Sequence, residues 1–277
     1  MIRKAIIPVA GKGTRMQPIT NVAPKEMLPI GTTPTLEYVV REAVDSGIQQ
    51  ILFVISPTKG TVAKYFAGTD KPKLYEDGGR YLYDCGGKSV EIYFTYQGGM
   101  VGSGGAILYG RDFAQGEGVA VLFGDDIIVG KTPATKQLLE MSHRYHDASV
   151  LGVQHQAEHI LRTCGVIDIK QDMGDCGVVA DIIEKPQGDF TSDLASLGRF
   201  ILSADCFAVL ADTPPKNGEI WLTDALAIEA HRSNVYYKCF EGKRYDIGNR
   251  YGYIRAFCDL AVGEDEMEDY QRYKKNC

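Results

Sequence analysis

Two groups of residues in this chain are suited to chemistry: a pair of carboxylates, Asp125 and Asp126, and a set of cations around a glycine loop. The loop, Gly11-Lys12-Gly13-Thr14-Arg15, follows the apolar run Ala5-Ile6-Ile7-Pro8-Val9. Glycine carries no Cβ, so backbone N–H groups there can come close to phosphate oxygens. Arg15, and Lys25 further on, add the fixed charge that a polyphosphate needs. Read by itself, such a loop is either a phosphate cradle or an ordinary tight turn. Two nucleotide patterns are excluded. The Walker A spacing is missing, and the dinucleotide pattern fails because Met16 stands where its third glycine belongs. Pro18 also argues against a long helix leaving the loop directly. Asp125 closes the apolar run 119–123 through Gly124. A strand-end carboxylate suits Mg²⁺, which takes one or two carboxylates and completes its shell with water and phosphate oxygens. Asp126 is the alternative ligand, or a turn cap.

These residues need a frame. Apolar runs at 50–55, 90–96, 119–123 and 148–153 read as buried strands, and helical spacing over 33–46, 61–66, 106–113 and 134–145 alternates with them. Thr33 is a candidate N-cap, and Gly47 ends that helix. The alternation implies βαβ units with right-handed crossovers, hence an α/β fold. Loops after the first, third and fourth strands then meet at the carboxyl ends of the strands: 10–15, 97–105 and 124–126. The second half differs. Short strands at 165–169 and 178–184 flank a Gly/Asp turn and read as a hairpin. A strand at 196–202, helices at 204–210 and 221–231, a strand at 235–240 and a last amphipathic helix at 250–262 follow, then an acidic tail.

The segments G-x-G-T-R-x-x-P-x-T and Pro24-Lys25-Glu26-Met27-Leu28-Pro29 resemble the signature of the sugar-1-phosphate nucleotidyltransferases, and more narrowly their bacterial-type uridylyltransferase branch. Later segments repeat the resemblance in order. It implies a Rossmann-like, mostly parallel mixed sheet flanked by helices, with a small β-hairpin portion for the sugar. It also implies one domain over 1–277, whose residues 1–155 serve mainly the nucleotide, 156–262 mainly the sugar, and 263–277 form a tail. Ala10, Gly11, Gly13, Thr14 and Glu26 are then expected at the nucleotide, Gln97 and Gly102 at the uracil edge, and Arg15 and Lys25 at the phosphates. An amide offers both donor and acceptor, which suits a pyrimidine's imide face. The resemblance favours Asp125 over Asp126 as the Mg²⁺ ligand and adds Asp246, in Tyr-Asp-Ile-Gly-Asn. Glu184-Lys185-Pro186 resembles the family's E-K-P, with Glu184 and Gly165 on the hexose and Lys185 on its phosphate; alone, an E-K pair would read as solvated surface. Two departures stand out: Gly105 replaces a common histidine, and Trp221 replaces the glutamine of Q-L-T-D. Thr223 and Asp224 read as a helix start.

The reaction so implied is transfer of a uridylyl group from UTP to glucose 1-phosphate with Mg²⁺; dTTP, CTP or another hexose phosphate are rival substrates, and a catalytically silent sensor is a third reading. A sugar 1-phosphate is already anionic near neutral pH, its second pKa being about 6, so attack needs no general base. The lack of a convincing Ser-His-Asp or Cys-His set agrees with this, and the five histidines are assigned to helix or loop surface. A net charge of −6 on 277 residues argues against a nucleic-acid partner. No apolar run reaches the roughly 18 residues of a membrane span, and no signal-peptide h-region opens the chain. The seven cysteines include no C-x-x-C, so reduced thiols and a cytoplasmic location are expected. A homo-oligomer, dimer or tetramer, is expected from the resemblance, with the last helix and tail as its contact.

Overall fold

The computed structural model describes residues 2–99 and 102–261. Its elements in chain order are β1 (Lys4–Pro8), β2 (Pro29–Ile30), β3 (Thr33–Pro34), α1 (Thr35–Asp45), β4 (Gln50–Ile55), α2 (Gly60–Ala67), β5 (Tyr81–Cys85), β6 (Lys88–Tyr96), α3 (Gly102–Leu108), α4 (Arg111–Ala114), β7 (Val119–Leu122) and β8 (Asp126–Val129). Then come α5 (Ala134–Arg144), β9 (Val150–His155), α6 (Glu158–Leu161), β10 (Gly165–Asp172), β11 (Cys176–Glu184), β12 (Leu194–Leu202), α7 (Cys206–Asp212), α8 (Leu222–Arg232), β13 (Tyr236–Cys239), β14 (Lys243–Asp246) and α9 (Arg250–Leu260).

Ten strands form one sheet in the order β10-β11-β13-β9-β12-β7-β1-β4-β6-β5. The pairs β7–β1, β1–β4, β4–β6 and β9–β13 are parallel, whereas β5, β11 and β12 run against the rest. The mostly parallel mixed sheet expected from the sequence is therefore present. Its central strands are buried on both faces, which is why they read as unbroken apolar runs. Successive residues of β1 face opposite sides: Ile7 belongs to the core that holds Leu36, Val62 and Leu138 of α1, α2 and α5, and Ile6 to the core that holds Ile107, Leu210 and Leu226 of α3, α7 and α8. A third, smaller core of Ile30, Ile127, Tyr245, Ile247 and Ala256 seats α9 on the two-stranded ladder β8–β14.

Several expectations shift in detail. The first long helix starts at Thr35 rather than Thr33: Pro34 occupies the cap, and Thr35 Oγ1 donates back to Leu28 O at 2.8 Å. The helix expected over 106–113 is two, α3 and α4, and α3 begins at Gly102, inside the glycine-dense stretch read as loop. The 165–184 hairpin is present as β10–β11. The acidic tail, with Val262 at the end of the expected last helix, lies outside the described residues.

Candidate active site

The loops after β1, β6 and β7 meet, as the topology required, around a cleft of about 740 Å³. Ala10, Gly11, Lys25, Glu26, Gln97, Gly102 and Asp125 all line it. Gln97 leaves β6 with its N–H donating to Ile55 O at 2.8 Å, so the strand ladder fixes where its amide starts. Gly102 stands at φ 74°, and a Cβ there would lie 2.5 Å from Ile220 O. Only glycine lets the start of α3 approach the 220 segment so closely. Gly13 and Thr14 do not line the cleft; Gly13 is the turn that packs the loop against Thr20 and the Lys25 stem.

Lys25 Nζ is ion-paired and hydrogen-bonded to Asp125 Oδ2 on the cleft wall. Burial opposes the lysine's charge, but Asp125 and Glu26 outweigh it and hold the ammonium above the ordinary lysine pKa. Burial likewise opposes ionisation of Asp125, yet Lys25, Arg15 and Arg244 hold its carboxyl below the usual range. Both charges thus persist at neutral pH. Glu26 differs from the expectation of a ribose or base contact. It is 2% exposed, and its Oε2 accepts from Lys59 Nζ at 2.7 Å. Burial pushes Glu26 up and Lys59 down, each opposed by the other's charge. The Glu26 carboxylate is engaged in the cleft wall rather than free for a nucleoside.

Asp246 reaches the same place from the other end of the chain. Residues 126 and 246 are register partners in β8–β14, and Ile247 N donates to Asp125 O at 2.8 Å. Gly248 marks where the side chains converge: a Cβ there would lie 2.8 Å from Asp125 Oδ2, 2.8 Å from Asp246 Oδ1 and 2.7 Å from Arg15 Nη2. Arg15 Nη1 stands 3.9 Å from Asp246 Oδ2, with its side chain 61% exposed. Arg15 therefore flanks the acidic pair rather than lining the cleft. Two carboxylate oxygens around a spot with no Cβ fit Mg²⁺, whose remaining positions go to water and phosphate oxygens. No cluster of three or more His, Cys, Asp or Glu side chains suited to a metal occurs among the described residues, so a dedicated all-protein cage is not the arrangement. Asp126 points elsewhere. Its Oδ1 lies 2.6 Å from Arg244 Nη2, though off the line of a hydrogen bond. Burial, with Asp125 and Asp246 close by, pushes its carboxyl up to about 6 despite Arg244. Of the two, Asp125 lines the cleft and Asp126 does not.

Glu184 and Lys185 close β11 outside that cleft. The Lys185 N–H donates to Cys164 O at 3.0 Å, which ties the pair to the residue preceding Gly165. Gly165 itself opens β10 beside Thr223 and Glu184. Glu184 Oε2 accepts from Thr223 Oγ1 at 2.9 Å; burial raises its carboxyl, while Thr223 and Lys185 work against that. Thr223 is thus no mere helix start: its hydroxyl faces the expected sugar residues. Asp224 accepts from Lys216 Nζ at 2.7 Å and makes no cap bond. The sequence reading missed Lys59, Arg244 and Arg199, whose partners lie far along the chain, and gave no role to Lys12, which lines the cleft. His155 and His159 stand four apart, but one ends β9 and the other lies in α6, so they share no helix face.

The family whose description reads "Nucleotidyl transferase" matches residues 4–262. A protein named UTP–glucose-1-phosphate uridylyltransferase 2, from Staphylococcus saprophyticus, is 39% identical over 275 residues, covering 97% of this chain and 95% of that protein. The UTP–glucose-1-phosphate uridylyltransferase of Bacillus subtilis is 36% identical, covering 97% and 94%. Among solved structures, a UDP-glucose pyrophosphorylase complexed with UDP-glucose is 33% identical with a TM-score of 0.81, covering 94% of this chain and 98% of that one. A UTP-bound enzyme of the same name from Acinetobacter baumannii is 28% identical with a TM-score of 0.84, covering 99% of both. With a matching profile across nearly the whole chain and relatives this similar, the chain belongs to the nucleotidyl transferase family.

Proposed function

We propose that this chain transfers a uridylyl group from UTP to glucose 1-phosphate, forming UDP-glucose and pyrophosphate. The observation that carries the chemistry is the meeting of Ala10, Gly11 and Lys12 with the Lys25–Asp125 pair in one cleft, with Asp246 beside Asp125 at Gly248. The choice of uridine and glucose rests on the relatives, whose names and bound ligands give both. The phosphate oxygen of the acceptor attacks the α-phosphorus of the nucleotide; the new O–P bond forms as the bond to pyrophosphate breaks. The acceptor is already an anion, so the protein's task is positioning and charge neutralisation.

Lys25 then stabilises charge developing at the α-phosphate, and Arg15 with the loop amides grips the β- and γ-phosphates. Gln97 and Gly102 read the base, Glu184 and Gly165 the hexose, and Lys185 orients the attacking phosphate. Asp125 and Asp246 would hold Mg²⁺, which when bound supplies positive charge to the polyphosphate. Residues 1–155 serve mainly the nucleotide and 156–262 mainly the sugar. We place the enzyme in the cytoplasm as a dimer or tetramer of identical chains without nucleic-acid or membrane partners; none of its described helices is long and apolar enough to cross a membrane.

Pyrophosphate release with Mg²⁺ tests the reading, using UTP, dTTP, CTP and ATP against glucose 1-phosphate. A strong preference for UTP is expected. Turnover with another nucleotide would keep the mechanism and move the specificity. Folded protein that binds nucleotide but turns over no pair would sink the enzyme reading in favour of a sensor.

A further inference from the structure

We infer that Trp221 is a positioning residue of the acceptor half of the site: its indole face holds the Lys185 ammonium in place for the phosphate of the sugar 1-phosphate. The inference rests on the reaction proposed above. Lys185 Nζ lies 4.2 Å from the Trp221 ring centroid, well inside the range of a cation–π contact. The same ammonium is 3.7 Å from Glu184 Oε1.

Three features show that the contact is built. Lys185 takes a left-handed φ of 48°, a conformation that a non-glycine residue adopts only where its surroundings impose it. Its N–H is tied to Cys164 O, which fixes the backbone that carries the side chain. Trp221, for its part, occupies the N-cap of α8 but makes no capping hydrogen bond, and an indole can only donate. Helix capping therefore gives no reason for tryptophan here.

The 220–222 segment is also fixed to the nucleotide cleft. Gly104 N donates to Ile220 O at 2.9 Å, and Leu222 N donates to Ser103 Oγ at 3.1 Å. Two residues beyond Trp221, Thr223 holds Glu184. One short segment thus grips both members of the Glu184-Lys185 pair, one by a ring face and one by a hydroxyl, and references them to α3.

The choice of an aromatic face has a physical consequence. A lysine ammonium is a point charge on a flexible four-carbon stem and loses rotamer freedom when it binds an anion. Glu184, at 3.7 Å, offsets part of that charge, and a second carboxylate in place of the ring would order the stem but offset it further. The ring quadrupole orders it and leaves the formal charge, and N–H donors on the open side, for phosphate oxygens.

Trp221 is the only tryptophan in the chain, so its emission reads this contact directly. The emission of the wild-type protein and of Lys185→Met is expected to differ. Trp221→Leu is expected to raise the KM for glucose 1-phosphate about fivefold, with kcat and the KM for UTP within about twofold, and Trp221→Phe to restore most of the loss. An unchanged KM for the sugar phosphate in Trp221→Leu would overturn the inference. So would Trp221→Phe as impaired as Trp221→Leu, since volume alone would then explain the residue. Wild-type protein that turns over no sugar 1-phosphate would overturn the reaction instead. The emission comparison would still decide the contact, and identical spectra would remove it.

Discussion

At the scale of single residues, the site works by keeping opposite charges side by side where burial would erase them. Lys25 stays protonated and Asp125 ionised because each supplies the other's counter-charge. If Lys25 acts at the α-phosphate as proposed, Lys25→Met should lower kcat/KM on the order of 10² to 10³ in a pyrophosphate-release assay. Gly248 makes a sharper case. A methyl group there would press on Asp125, Asp246 and Arg15 together. Gly248→Ala is therefore expected to raise the Mg²⁺ concentration for half-maximal rate several-fold and, because Gly248 is buried, to lower the thermal midpoint as well. A Mg²⁺ titration of initial rates beside a melting curve checks both halves; an unchanged titration would remove the acidic pair from metal binding. The glycine loop, Lys25, Asp125 and Glu184-Lys185 were legible in the sequence because each sits in a contiguous motif at an element's end. Lys59 and Arg199 were not. Their partners, Glu26 and Glu42, lie 33 and 157 residues away, and nothing in a local pattern marks a contact of that kind. Glu26 lines the cleft as expected of a site residue, but its pairing with Lys59 is a contact of the same long-range kind.

Elements hold these charges through a few buried connections. Arg199 of β12 is fully buried, donates to both Glu42 oxygens of α1 and reaches Asp126 O at 2.6 Å. Glu42 also accepts from Thr135 N and Oγ1 of α5. One guanidinium thus joins two helices and the acidic loop to a central strand. Removing one member of such a pair leaves a buried charge uncompensated, so Arg199→Met should cost about 3–5 kcal/mol in urea unfolding. A milder test lies on β6. Glu91 accepts from Tyr93 Oη at 2.6 Å and Gln50 Nε2 at 2.8 Å, and pairs with Arg80. The Tyr93 hydroxyl first, with Gln50 and Arg80, lowers its pKa from the ordinary 4.5 despite some burial. A depressed carboxyl stabilises fully above its unfolded pKa and loses that contribution as pH falls through the folded value. Glu91→Gln should therefore lower the melting temperature at pH 7, by about 1 kcal/mol of stability, and the gap to wild type should close as the pH falls through the lowered Glu91 value. A gap that persists in acid would refute this account. The long buried strands were legible because both faces are apolar. β8 and β14 were not: each is four residues long, and their ladder exists only because residues 126 and 246 meet. Nor was β5 legible, for its exposed and covered residues alternate on a sheet edge.

On the scale of the whole molecule, the two halves of the chain share one sheet: β12, from the second half, lies between β7 and β9. On the proposed assignment, a nucleotide against β1, β6 and β7 and a sugar against β10 and β11 would meet over a continuous support, which suits an in-line transfer between two ligands. The periphery carries a different signal. One side of α9 is buried through Ala256 on the small core formed with β8 and β14. The opposite side presents Tyr251, Ile254 and Phe257, at 71%, 58% and 43% exposed. Spaced by three, they form a stripe along the helix, and contiguous exposed apolar surface of this kind marks an association site more often than a solvated one. The expected homo-oligomer gives the stripe a use, since a two-fold pairing would set the same face of α9 against its copy. Ile254→Glu would place like charges opposite one another in that pairing. Sedimentation velocity over a range of concentrations should then show an assembled wild type and a Glu variant shifted to the monomer. A wild type that is monomeric throughout, or a variant that assembles equally well, would assign the contact to another surface.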